Sequence, residues 1–168
     1  MFSDLAPFTL VHVLISLAGI ASGFVVLFAM MSGKRLGGMT AVFLTTTILT
    51  SATGFFLPAP HFLPSHAIGI LSLVVLAIAV LALYSRHLEG GWRKTYVITA
   101  SIAQYFNCFV LVVQLFRRVP ALHDLAPTQS EPPFAIAQGL LLVLFIVLTI
   151  RAVSKFREPA LRTSAAHG

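Results

Sequence analysis

Charged residues are scarce in this chain, and acidic residues are the scarcest. The 168 residues include 11 Lys and Arg but only 5 Asp and Glu, so that 10% of the chain is charged and 58% is hydrophobic. A soluble domain of this size could not bury so much apolar surface. The composition therefore excludes an ordinary soluble protein and predicts an integral membrane protein.

Cysteine is nearly absent, and only one loop brings several acid/base residues together. Cys108 is the only cysteine, so an intramolecular disulfide is excluded. His123, Asp124 and Glu131 form the only acid/base constellation, and adjacent His and Asp residues are typical of a solvated turn. General acid/base catalysis needs positioned groups in a shifted environment. We therefore do not expect the chain to be an enzyme by itself.

Long apolar segments occupy most of the chain. They cover residues 7–31, 38–57, 66–85, 95–116 and 134–151, and none has a charged residue before its last position. A helix needs roughly 20 apolar residues to cross a bilayer. The prolines all lie at segment edges or outside, where helices should end. The sequence therefore predicts an all-α membrane protein, a single five-helix transmembrane domain over residues 1–156, followed by a mobile tail at 157–168.

The basic residues between the segments lie mostly on one side. That side carries Lys34, Arg35, Arg86, Arg93, Lys94, Arg151, Lys155, Arg157 and Arg162, whereas the other side carries only Arg117 and Arg118. Because excess Lys and Arg mark the cytoplasmic face, we expect the amino terminus outside and the carboxyl terminus inside. The net charge of +6 then reflects topology and anionic lipid, not nucleic acid. The pattern resembles that of small bacterial inner-membrane proteins, which implies a multi-pass plasma-membrane location and no particular activity.

Two connections are expected on the outer side, and both are rich in proline. They cover residues 58–65 and 117–133. In the second, Pro120 and the ALHDL that follows it predict a short surface helix. The stretch 127–133 (PTQSEPP) is either a lid over a site below it or a stiff connector into the last segment.

Polar residues inside the apolar segments are expensive in lipid and should face the bundle interior. In the first segment His12, Ser16, Gly19 and Gly23 recur at spacings of four, three and four, which places them on one helix face. The glycine pair is the small-residue pattern that lets helices approach closely, either within the bundle or in a homo-oligomer.

The depth of these residues predicts an outward-facing polar pocket. At about 1.5 Å per residue, four residues lie within about 10 Å of the outer boundary, namely His12, Thr53, Gln114 and Gln138, and His66 lies at it. Ser16 and Asn107 follow one or two turns deeper. The residues predicted to bind a ligand there are His12, Ser16, His66, Asn107, Gln114 and Gln138.

A redox ligand is the favoured occupant of that pocket. Two neutral imidazoles on neighbouring helices, His12 and His66, could hold the iron of haem b axially. The same pocket could take a quinone, whose carbonyl groups suit His, Gln and Ser side chains. A copper or zinc site using His12, His61 and His66 is a weaker version, because no tight ligand spacing such as HxxxH supports it.

Two further classes of function remain open. Polar faces on three segments could line the cavity of a small-solute transporter or channel, although no segment carries the mid-membrane charge that ion coupling usually needs. A compact bundle with stiff outer loops could also serve as an accessory or assembly subunit of a larger membrane complex. The ordinary structural role of the polar residues is to join helices, at about 0.6 kcal/mol per hydrogen bond.

Overall fold

The computed structural model describes residues 7–57 and 64–157, and every regular element in these ranges is helical. The helices are α1 (Pro7–Met31), α2 (Gly37–Gly54), α3 (Pro64–Val80), α4 (Trp92–Arg118), α5 (Pro120–Leu125) and α6 (Pro132–Lys155). A π-helical turn, Leu81–Ser85, continues α3. The predicted all-α architecture is thus confirmed, while the predicted metal ligand His61 and nearly all of the predicted mobile tail lie outside the described residues.

Prolines and glycines mark where the helices begin and end. Pro120 opens α5, and Pro132 with Pro133 occupies the first turn of α6. This is the helix position at which a missing N–H does no harm. Gly33, with φ +70°, and Gly90, with φ +51°, lie in the two short connections at the opposite end of the bundle, because a glycine adopts left-handed backbone without strain.

The first four long helices form a closed ring. α1 packs on α2, α2 on α3, α3 on α4, and α4 returns to α1. α6 lies outside this ring against α4 and α1. Only 11% of its most apolar window is buried, compared with 44% for α4, so α6 is a peripheral helix. The ring therefore encloses the space in which a site can form.

One half of the ring is tightly packed; we call it the packed half. It comprises the carboxyl-terminal half of α1, the start of α2, the end of α3 and the start of α4. Its side chains Leu27, Phe43, Leu76 and Val97 are each 1% exposed or less. At mid-bundle Gly23 lets the amide of Gln104 lie against α1, where a Cβ would overlap it. This close approach joins α1 and α4 with no space between them.

Four helices are long and apolar enough to cross a membrane: α1, α3 with its π-helical turn (His66–Ser85), α4 and α6. Together they make the chain a multi-pass membrane protein. α2 is 18 residues long, carries six threonines and a serine, and is not among these four. Among the described residues, length and composition thus identify four candidate spanning helices and leave α2 as a proposal.

Candidate functional site

A cavity of about 600 Å³ lies in the half of the ring opposite the packed half; we call this the cavity half. Four helix ends meet there, because α1 and α3 begin at this end while α2 and α4 finish at it. The wall is mostly apolar. The polar side chains that line it include His12, Ser16, His66, Asn107, Gln114 and Arg118. Five of the six predicted ligand-binding residues therefore meet at one cavity.

His12 is held against α2 by a hydrogen bond. Its Nδ1 lies 2.8 Å from the hydroxyl oxygen of Thr53. That hydroxyl donates its own hydrogen to the carbonyl oxygen of Leu49 at 2.6 Å. A hydroxyl has one hydrogen, so Thr53 accepts from His12 and the imidazole carries its proton on Nδ1. Nε2 makes no hydrogen bond with any described residue and is the ring nitrogen left for the cavity.

His66 reaches the cavity from α3 and is oriented by an aromatic ring. It stacks on Phe55, with ring centroids 5.7 Å apart and an interplanar angle of 18°. Gly69, one turn further along α3, makes room for Phe55, since a Cβ there would lie 3.2 Å from the ring. The carboxyl-terminal end of α2 is therefore folded over the start of α3, and both aromatic rings line the cavity.

Two side-chain amides of α4 contribute to the cavity, beside His12 of α1 and His66 of α3. Asn107 donates to the Thr47 hydroxyl at 3.1 Å, which joins α4 to α2 across the ring. Gln114 accepts from Nε of Arg118 at 3.3 Å through its amide oxygen. Because a guanidinium only donates, this contact leaves the amide nitrogen of Gln114 free to donate to a ligand.

The floor of the cavity is closed by close contacts between helices. Gly19 brings α1 near α2, with the Thr46 and Thr47 hydroxyls 3.2 and 3.3 Å from the position of a Cβ. One turn deeper Gln104 donates to the carbonyl oxygen of Ile20 at 2.8 Å. Ser51 and Ser72 join α2 to α3 by a buried hydrogen bond of 3.1 Å. The cavity therefore ends at mid-bundle, where the packed half begins.

The structure does not bring Gln138 to the cavity. It lies on the peripheral helix α6 and donates to the carbonyl oxygen of Phe109 at 3.2 Å. His123 is exposed on α5 and does not line the cavity either. Among the described residues no three His, Cys, Asp or Glu side chains group together as metal ligands do. The three-histidine metal site stays a prediction, since His61 lies outside those residues.

The stretch 127–133 is built as a connector. Gln129 donates to the carbonyl oxygen of Val113 at 2.8 Å and pins the loop to α4. The Glu131 carboxylate accepts from the Thr128 hydroxyl at 2.8 Å and from the backbone N–H groups of Thr128 and Ser130. These bonds, the Thr128 hydroxyl foremost, hold the pKa of Glu131 below its usual range. No residue of the stretch lines the cavity, so it stiffens the entry into α6.

Charge on the cavity wall is one-sided. Arg118 is the one Lys or Arg among the described lining residues, and no Asp or Glu is among them. Arg118 lies in the last turn of α4, at the mouth of the cavity. The interior therefore has hydrogen-bonding groups but no carboxylate.

Sequence reasoning did not assign Thr53, Phe55 or Arg118 to the site. A signal existed for Thr53, which lies at the same depth as His12 on the next helix. Nothing in the helical spacing pointed to Phe55, because its role depends on the turn after α2 folding back over α3.

No protein-family model matches this chain, and comparisons with curated proteins and with solved structures find no match either. Its function is therefore inferred from the residues of the site.

Proposed function

We propose that this protein binds a small, mostly apolar redox ligand of the quinone class in the cavity beside His12. The supporting observation is that His12, Ser16, His66, Asn107 and Gln114, contributed by three helices, line one cavity of about 600 Å³. Ligand sites are typically about 300–1,000 Å³, apolar, and supplied with a few placed polar groups. A quinone ring has flat apolar faces and two oxygen-bearing edges, which match such a wall.

Haem b is the second candidate, and one specific observation favours it. His12 and His66 both line the cavity, from different helices. The bond from Nδ1 of His12 to Thr53 is the second-sphere contact that orients a metal-ligating imidazole and leaves Nε2 for iron. The haem would supply one-electron chemistry, and the two histidines would hold it.

The closed floor of the cavity is relevant to the two other classes of function, which are a transporter or channel and an accessory subunit. Below Gln104 the ring is filled by side chains with almost no exposure, such as Leu27 and Phe43. A transporter would have to separate these helices in another conformation, so a binding role needs fewer assumptions. An accessory role in a larger complex would use the same fold and remains the alternative if no ligand is found.

We also propose that α2 is a fifth spanning helix, with the amino terminus outside a bacterial inner membrane. Eighteen residues span about 27 Å, close to the hydrocarbon thickness of about 30 Å. Thr46 and Thr53 donate their hydroxyl groups to their own helix backbone, and Ser51 bonds to α3, so these three polar side chains of α2 need no water. The excess of Lys and Arg at the packed end supports this orientation.

The deciding experiment is ligand analysis of the protein purified in mild detergent. Mass spectrometry of the lipid extract should find a quinone at near one per chain, and a His12→Ala variant should lose it. His123→Ala is the matched control, because this exposed histidine lies outside the cavity and should leave the quinone in place.

An absorption spectrum of the same sample, oxidised and then reduced with dithionite, separates the two candidates. A Soret band that shifts on reduction and disappears in His12→Ala or His66→Ala would replace the quinone by haem. A colourless sample with no quinone in its extract would contradict both.

A further inference from the structure

The hydrogen-bond polarity of His12 is determined by its neighbours. The Thr53 hydroxyl donates its hydrogen to the Leu49 carbonyl oxygen, at 2.6 Å, and accepts from Nδ1–H of His12, at 2.8 Å. The tautomer of His12 is therefore set by two consecutive hydrogen bonds, the first of which ends at a backbone carbonyl of α2. In a neutral imidazole with hydrogen on Nδ1, Nε2 carries only a lone pair. His12 then presents an acceptor to the cavity.

The imidazole is neutral because no described residue that lines the cavity would balance a positive charge. Those described lining residues include no Asp or Glu, and the guanidinium of Arg118 is itself a cation. The other polar side chains of the cavity wall include uncharged hydroxyl and amide groups, such as those of Ser16, Thr50 and Asn107. A charged imidazolium inside a membrane bundle without a counter-ion is strongly disfavoured.

We infer that the cavity selects the hydroxyl-bearing, reduced form of its ligand, a hydroquinone, whose O–H donates to Nε2 of His12. This assignment rests on the proposed quinone-class function and names the redox form that is bound. A quinone carbonyl would place its oxygen lone pairs against the lone pair of Nε2, whereas a hydroquinone hydroxyl supplies the missing hydrogen. An unmatched acceptor pair loses the hydrogen bond and leaves both groups desolvated.

Gln114 supplies the complementary polarity on the other side of the cavity. Its amide oxygen accepts from Nε of Arg118, so its amide nitrogen is the end available to donate. A hydroquinone oxygen can accept this hydrogen while its own hydrogen goes to an acceptor. The wall thus contains an acceptor on α1 and a donor on α4, each oriented by a neighbouring residue.

Thr53 is the positioning residue in this arrangement. Thr53→Val keeps the size of the side chain but removes the acceptor for Nδ1–H, which frees the imidazole to present Nε2–H instead. Thr53→Ser keeps the hydroxyl and should keep the tautomer. The ratio of the affinities for the two redox forms reports this change, and a purely structural role of Thr53 would alter both affinities together.

The test is equilibrium dialysis of the detergent-solubilised full chain with a short-chain benzoquinone and with the same compound reduced anaerobically. It is run at about pH 8, above the ordinary histidine pKa of about 6.5. The wild type should bind the hydroquinone about tenfold more tightly, which corresponds to a rise of about 30 mV in the midpoint potential of the bound couple. Thr53→Ser should retain this preference, and Thr53→Val should bring the ratio close to one.

The outcomes separate this inference from the proposed function. If the wild type binds the oxidised form as tightly as the reduced form, or more tightly, the inference is wrong while quinone binding stands. If Thr53→Val folds and keeps the wild-type ratio, Thr53 does not orient His12. If neither form binds, both the inference and the quinone proposal fail. Should Thr53→Val fail to fold, the wild-type ratio alone decides.

Discussion

The packed half and the cavity half are built from the same four helices, yet they use their polar residues differently. In the packed half Thr99 bonds to its own helix, and no space remains beside Phe43 or Leu76. In the cavity half His12 and Gln114 each use one polar atom on a neighbour and leave another for the cavity. A polar side chain that borders the cavity can therefore present an unused atom to a ligand, whereas one between packed helices serves as an internal joint.

Removing a large side chain should show the largest difference in stability between the two halves. Phe43→Ala should lower the free energy of unfolding by about 3 kcal/mol or more, because Phe43 is 1% exposed and its loss leaves a void. Phe106→Ala is the matched change in the cavity half, where the ring already borders empty space, and should have a clearly smaller effect. SDS-induced unfolding in mixed micelles measures both. Equal losses would mean that the halves are packed alike.

The junction between the halves should be the next most sensitive place. Gly23→Ala adds a Cβ that would overlap the Gln104 amide and lie 2.8 Å from the Phe43 ring, so we expect a loss of about 2 kcal/mol. Gly139→Ala is the control, because nothing lies within 4 Å of a Cβ there. The same unfolding assay should find the control as stable as the wild type. A tolerated Gly23→Ala would show that Gln104 moves aside at no cost.

Filling the cavity should change ligand binding without changing stability. Ser16→Leu places a larger apolar group at the cavity wall, and Ser16 bonds only to the carbonyl oxygen of His12, in its own helix. We expect at least a tenfold loss of quinone affinity, which is about 1.4 kcal/mol, and no fall in unfolding stability. Ala18→Leu, on the exposed side of the same helix, should bind normally. Quinone binding by Ser16→Leu at wild-type affinity would place the ligand elsewhere.

The smallest effect is expected in the connector 127–133, which lies outside the membrane at the cavity end of the bundle. The pKa of Glu131 is lowered on folding, so its contribution to local order is present above the unfolded-state value of about 4.3 and is lost as the pH falls through the lower folded-state value. The protection factors of the Thr128 and Ser130 amides, which compare the observed exchange with the intrinsic rate at the same pH, should therefore fall in acid. In Glu131→Gln the protection should no longer depend on pH in this range. An unchanged acid dependence in that variant would assign it to another group.

Much of this architecture could be predicted from the spacing of apolar and polar residues. The first predicted segment, 7–31, coincides with α1, and the outer helix expected after Pro120 is α5. The prediction that polar residues converge at one end agrees with the position of the cavity. These successes follow from local rules, since helix length, proline position and depth along a helix depend on nearby sequence alone.

One polar face of α4 shows where such rules stop. Ser101, Gln104, Asn107 and Gln114 share that face, yet the structure divides them: Ser101 and Gln104 are 1% exposed within the ring, while Asn107 and Gln114 reach the cavity. Gln138 has a suitable depth but lies on α6, outside the ring. Periodicity gives the face and depth of a residue; it does not give the neighbour of its helix.

The sequence by itself therefore determined an all-helical membrane chain, where most of its helices begin and end, and which end of them is polar. Only the tertiary structure decided that Thr53 accepts from His12, that Phe55 stacks on His66, and that α6 is excluded from the cavity. The physical reason is that transmembrane helices associate through van der Waals packing of small residues and through specific hydrogen bonds. At Gly19 and Gly23 those contacts fix the order and rotation of the helices, and hence which polar atoms remain for a ligand.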